Sequence, residues 1–142
     1  VTESVVHHVA LGARDVRALS AFYEQALGLR RVREHVDESG ELRSIWLSLQ
    51  QTGPTHGVLM IEKTLIAPPA PGAPMQVMPG WFLLAFSVPS DERERYEARL
   101  LEAGATLEGR SAASSYVRDP EGNRLAISCY PLAGVCDSPP RA

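Results

Sequence analysis

Imidazole is the side chain best suited to proton transfer or ligation near neutral pH, and this chain carries four: His7, His8, His35 and His56. Two of them are adjacent within Val5-Val6-His7-His8-Val9-Ala10-Leu11, a β-branched run that reads as a strand. Side chains alternate along a strand, so His8 shares a face with Val6 and Ala10, and His7 goes to the other with Val5, Val9 and Leu11. His8 is the first residue to single out, as a ligand, a hydrogen-bonding group or a general base. Its plain alternative is a strand histidine satisfied by a neighbour. His7 reads as structural, and His35 and His56, near turns, as solvated. Tyr116 offers a phenol that can donate to a ligand, Trp46 and Ser48 share one face of a strand, and Trp81 could stand at the mouth of a pocket. Arg43 and Arg124 could grip an anionic group, because guanidinium matches the geometry of a carboxylate or phosphate; a solvated reading competes for both.

Much other chemistry is excluded. No Ser/His/Asp or Cys/His arrangement is suggested by the spacing, and no P-loop or GxGxxG is present, so no nucleotide cofactor is expected. Cys129 and Cys136 form no CxxC pair and read as free thiols of a reducing compartment, which makes cytoplasm the expected location. No basic, apolar and small-residue leader opens the chain, and no apolar run nears the ~20 residues needed to span a bilayer. The 142 residues, 44 % hydrophobic and 22 % charged, suit one compact domain with a real core. Formal net charge is −3, and the densest basic stretch, Arg30-Arg31 with Arg33, lies in a strand beside Glu34 and Asp37. That is no electrostatic footprint for nucleic acid.

The elements that must position these residues come in two copies. His8 and Leu83 are 75 residues apart, Asp15 and Asp91 are 76, and Gly28 and Gly104 are 76. Such a period is too long for a solenoid unit and too short for a self-sufficient domain, so two half-domains share one core. In the first copy Asp15 caps a helix whose stripe is Val16, Leu19, Phe22, Tyr23 and Ala26, stopped by Gly28. Strands follow at 29–36, 42–49 and 57–63, the first two joined by a turn at Asp37-Glu38-Ser39-Gly40. A linker at 64–80 holds Pro68, Pro69, Pro71, Pro74 and Pro79, which excludes a central strand. The second copy starts with a strand at 81–88. Asp91 and Glu94 there fit a capping box, and Tyr96, Leu100 and Ala103 mark a helix ended by Gly104. Strands at 106–108, 114–118 and 123–130 close it, the last two joined by Asp119-Pro120-Glu121-Gly122, a turn whose residues are explained by its dihedrals. Residues 131–142 read as a flexible tail. The fold class is therefore α+β, two tandem β-α-β-β-β units at 4–63 and 81–130 within one domain.

Together, "HHVAL", a helix containing Phe22-Tyr23 and ending "ALGL", and the closing Asp119-Pro120-Glu121-Gly122-Asn123-Arg124 resemble the vicinal oxygen chelate superfamily over roughly residues 4 to 130. That superfamily includes glyoxalase I, extradiol dioxygenases, fosfomycin-resistance enzymes and bleomycin-resistance proteins. The resemblance implies a half-open, cup-shaped mixed sheet with helices outside. It also implies a divalent metal in the cup, bound by His and Glu from the first and last strands of each unit, where it would chelate two neighbouring substrate oxygens. His8 matches the first histidine. Glu62, in "GVLMIEK", is the expected first carboxylate, with Met60 in that position if the register differs. The second histidine and carboxylate correspond to Leu83 and Ala126, which cannot coordinate anything.

Two functions follow from the resemblance. One is a glyoxalase- or dioxygenase-like enzyme acting on a small organic molecule, with His8 and Glu62 as surviving metal ligands and Trp46, Ser48, Tyr116, Arg43 and Arg124 as ligand contacts. The other is a metal-free cup that sequesters a small molecule, as bleomycin-type resistance proteins do. An interaction subunit with a vestigial cup is a third reading. The partners expected are a small molecule and a second copy in a homodimer, since a half-open sheet leaves edges to cover; nucleic acid and membrane are not expected.

Overall fold

The carboxylate of Asp15 accepts the backbone N–H of Ala18 at 2.9 Å and starts the first helix as its spacing predicts. Gly28 ends it at φ 69°, a left-handed conformation in which a Cβ is strained. The computed structural model describes residues 7–53, 55, 57–64 and 83–129. The strand residues before His7, together with His56, the linker beyond Thr64, Trp81, the tail with Cys136 and the unit limits at 4 and 130, lie outside the described residues.

In chain order the elements are β1 (His8–Ala13), α1 (Val16–Leu27), β2 (Arg30–Val36), β3 (Leu42–Ser48), β4 (Val58–Lys63), β5 (Leu84–Ser87), α2 (Arg93–Glu102), β6 (Thr106–Arg110), β7 (Ser114–Arg118) and β8 (Arg124–Ser128). They form two four-stranded sheets, ordered β1-β4-β3-β2 and β5-β8-β7-β6. The first and last strands of each unit pair in parallel, and all other pairs are antiparallel. The two β-α-β-β-β units foreseen in the sequence are thus present, each with its own mixed sheet.

Both units bury the helix side of their sheets. Leu19, Phe22, Tyr23 and Ala26 of α1 meet Ile45, Leu47, Leu59 and Ile61, in one cluster with Leu100, Val117, Leu125 and Ile127 of the second unit. Each Leu, Ile, Val or Phe among them contributes about 1.5–3 kcal/mol by leaving water, so this face sets the register of every strand. The edge strands β2 and β6 are irregular. β2 is exposed at every residue and shifts register between Arg31 and Arg33 and between His35 and Val36; β6 shifts between Leu107 and Gly109.

One expected feature is absent. Asp91 and Glu94 form no capping box, because the chain first turns from Pro89 to Glu92, with the Glu92 N–H on the Pro89 carbonyl at 3.1 Å. Helix α2 therefore begins one residue later, at Arg93, capped by Glu92 without a side-chain bond, and Glu94 falls in its first turn, where a carboxylate suits the positive end of the helix.

The closing turn of the second unit does more than satisfy its own dihedrals. Asp119 accepts the N–H groups of Glu121 and Asn123 within the turn, and also the hydroxyl of Tyr23 from α1 at 2.9 Å. Glu121 accepts the N–H groups of Arg14 and Asp15 at 3.0 and 2.9 Å, at the entry to α1. Arg99 of α2 adds a bond to the Gln25 carbonyl at 2.7 Å. These contacts clamp the two units across their helix layer.

Candidate functional site

Strand pairing assigns a residue to each position on the sheet faces turned away from the helices. In the first sheet the residues fall in three rows, read from β2 to β1 as Arg30-Ser48-Val58-His8, Arg33-Trp46-Met60-Ala10 and His35-Ser44-Glu62-Gly12. In the second, read from β6 to β5, two rows follow as Gly109-Tyr116-Ala126-Ala85 and, over three strands, Ser114-Ser128-Ser87. Arg118 and Arg124 pair in a further row, which Leu83 extends by the same register just before β5. Val58 and Ala126 are buried yet stand outside the hydrophobic core cluster, as this face assignment requires.

Most of the expected site residues reach this open face. His8 is exposed on it, its Nδ1 2.9 Å from Nδ1 of His7. Trp46 lies at the centre of its sheet, half-buried, with its indole N–H on the Ser44 hydroxyl at 3.1 Å. Ser48 is wholly buried, and its oxygen accepts the Gln50 N–H at 3.2 Å. Tyr116 occupies in the second sheet the position that Trp46 holds in the first, and the Arg124 guanidinium lies 5.3 Å from its ring centroid. Arg43 is different. It alternates out of the open face and stands exposed, 4.0 Å from Glu41.

Arg124 does not reach the open face as an uncompensated cation. Glu108 accepts Arg118 Nε and Arg124 Nε, each at 2.6 Å. Burial alone would push the Glu108 carboxyl up, but these bonds outweigh it and hold it below the ordinary 4.5. Sequence reasoning missed Glu108, and it missed Arg30 and Arg33 as a pair on one face. Plain alternation puts residues 30 and 33 on opposite faces, and only the bulge at Val32 brings them together. Nothing in the local sequence marks that bulge.

The register also settles which first-unit residue matches Ala126. Ala126 pairs with Ala85, two residues beyond Leu83, and the equivalent residue beside Ala10, two beyond His8, is Met60. Glu62 lies one row farther, beside Gly12. It is four residues along from His8, roughly 13 Å between backbone positions at about 3.3 Å per residue, so the two side chains rise from different rows of the face. The four positions implied for a divalent metal thus hold an imidazole, a thioether, an isobutyl and a methyl group. That set does not fit a hard or borderline cation. Among the described residues, no group of three or more His, Cys, Asp or Glu could hold a metal ion.

A cavity of about 440 Å³ lies elsewhere, where the end of α1 meets β5 and the start of α2, lined by Leu27, Leu29, Phe86 and Tyr96 among others. None of the expected site residues borders it. Among the described residues no helix is long and apolar enough to cross a membrane.

A family model described as a glyoxalase-like domain matches residues 8–128. Among solved structures, the chain is similar to the fosfomycin resistance protein FosX from Listeria monocytogenes, complexed with Mn(II) and 1S,2S-dihydroxypropylphosphonic acid. That likeness has a TM-score of 0.70 and 15% identity over 93% of this chain and 97% of that one. A glyoxalase/dioxygenase from Nostoc punctiforme superposes with a TM-score of 0.67 and 23% identity, over 93% of this chain and 100% of the other. A glyoxalase family protein from Enterococcus faecalis does so at 0.64 and 26% identity, over 87% and 96%. No curated protein matches the chain by sequence.

Proposed function

Because this chain belongs to the glyoxalase-like domain family, within the vicinal oxygen chelate superfamily, we propose that it binds a small organic molecule on its open sheet faces without a resident divalent metal. The observation that carries this reading is the donor set: His8, Met60, Leu83 and Ala126 at the four positions where the superfamily places ligands. Trp46, Tyr116 and Arg124 supply what a metal-free pocket needs instead, flat apolar surface with a few fixed polar groups. Ser48 supports the floor through its turn bond, and Arg43, on the other face, does not take part. The protein acts in the cytoplasm as a homodimer in this proposal.

A second reading is favoured by one observation, the exposure of His8 on the open face. An imidazole there can serve as a general base toward a bound molecule, which makes the protein a glyoxalase-like enzyme that works by proton transfer. Native mass spectrometry and metal analysis of untagged protein as first isolated test the proposal. The expected result is no stoichiometric transition metal, with a retained organic molecule or a compound from a ligand screen bound one per chain. One metal ion per chain, lost in His8→Ala, would overturn the metal-free reading.

A further inference from the structure

The first sheet's open face is unevenly charged. Arg30 and His8 end one row and Arg33 begins the next, while the face's one carboxylate, Glu62, lies in the third row with His35. The Arg33 guanidinium lies 5.2 Å from the Trp46 ring centroid. The indole beneath is itself held by its bond to Ser44. Arg30 donates to the Gly53 carbonyl at 3.0 Å and the Thr55 hydroxyl at 3.5 Å. Among the described residues neither Arg30 nor Arg33 is ion-paired, whereas Arg31, on the helix side between them, is locked to both Glu24 and Glu34. The second sheet also lays an arginine on its central ring, Arg124 on Tyr116, though from the neighbouring strand β8 and the next row, and there Glu108 offsets the charge. Of these two arginine–aromatic pairs, the one on the first sheet has no carboxylate on its guanidinium among the described residues.

Resting on the small-molecule reading above, we propose that this first-sheet station selects the ligand class, a planar aromatic acid whose carboxylate is taken by Arg33. A guanidinium offers two parallel N–H donors that match a carboxylate, and stacking on Trp46 holds that fork in place before the ligand arrives. Less side-chain entropy is then lost on binding. Arg30, about 7 Å away by strand spacing, adds positive potential on one side. Met60, next to Trp46 in the row, offers a polarizable surface to an aromatic ring. Glu62, beyond Trp46 on the side away from Arg30, repels a carboxylate that enters the other way round.

Three isosteric probes test this by calorimetry and tryptophan fluorescence: 2-naphthoate, 2-naphthamide and the cation 2-naphthamidinium. The acid is expected to bind at least about tenfold more tightly than the amide, with the amidinium weakest, an advantage typical of a charge-assisted pair. Arg33→Ala should erase the preference while melting like the native protein, Arg33→Lys should keep only part of it, and Arg43→Ala should keep it all. An amide that binds as tightly as the acid, or a preference that survives Arg33→Ala, overturns the inference and leaves the small-molecule reading standing. Binding by none of the three also overturns the aromatic-acid assignment; the broader reading fails separately, when neither a retained molecule nor a screened compound is found.

Discussion

The phenol of Tyr23 is wholly buried, and its hydroxyl bonds Asp119 across the boundary between the two units. Burial pushes the Asp119 carboxyl above its ordinary 3.8, and the bonds from Asn123 and Tyr23 pull it back part of the way. A carboxyl raised on folding stabilises fully below its ordinary value, and that contribution is lost as pH rises through the raised one. Tyr23→Phe removes one of the bonds that favour the charged form. It should cost about 1–3 kcal/mol at neutral pH, the penalty for stripping a buried acceptor of a partner. Urea unfolding should show that deficit shrinking as pH falls through the Asp119 titration; a deficit that grows toward acid would contradict the assignment. At this scale the sequence was a partial guide. The face of His8 followed from alternation alone, whereas the choice between Glu62 and Met60 depended on which residue lies beside Ala10, a fact of strand pairing.

Among the elements, helix α1 was the most legible, because its cap, stripe and stop are all local signals. Gly28 shows why its stop is specific. It sits at φ 69°, and a Cβ there would approach the Gln51 side chain to 3.4 Å, next to the bond from Gln51 to the Leu27 carbonyl. Gly28→Ala should cost about 1–2 kcal/mol from left-handed strain, readable as a lower midpoint in thermal melts followed by circular dichroism. Helix α2 was less legible. Its acidic start pointed to Asp91 as the cap, but a turn from Pro89 to Glu92 moved the start on to Glu92, with no side-chain bond. Strand β2 was found, but its faces were not, since a bulge reverses alternation partway along.

For the molecule as a whole, the duplicated plan was visible in the offsets between the copies, whereas the parallel pairing of first with last strand in each unit came from the structure. What the offsets did not reveal is how the copies hold each other. That task falls to the turn at Asp119–Gly122, whose acidic residues read as turn chemistry and whose carboxylates reach α1 and its entry. Glu121→Ala should loosen this clamp by about 0.5–1.5 kcal/mol, because water can take over the two exposed backbone N–H groups that lose their charged acceptor. Hydrogen exchange should locate the loss at Arg14 and Asp15 and in the β7–β8 hairpin. Uniform acceleration across both sheets would instead mean that the turn acts only within its own unit.

The irregular outer strands have a consequence for the protein in a crowded solution. A foreign strand can add to a sheet only where a straight ladder of N–H and C=O groups awaits it. β2 is broken by two register shifts and studded with Arg30, Arg31, Arg33 and Glu34, and β6 is broken by one. Neither offers a template that can be copied from chain to chain, so strand addition is blocked at these two of the four sheet edges, even with Val32 and Val36 bare to solvent.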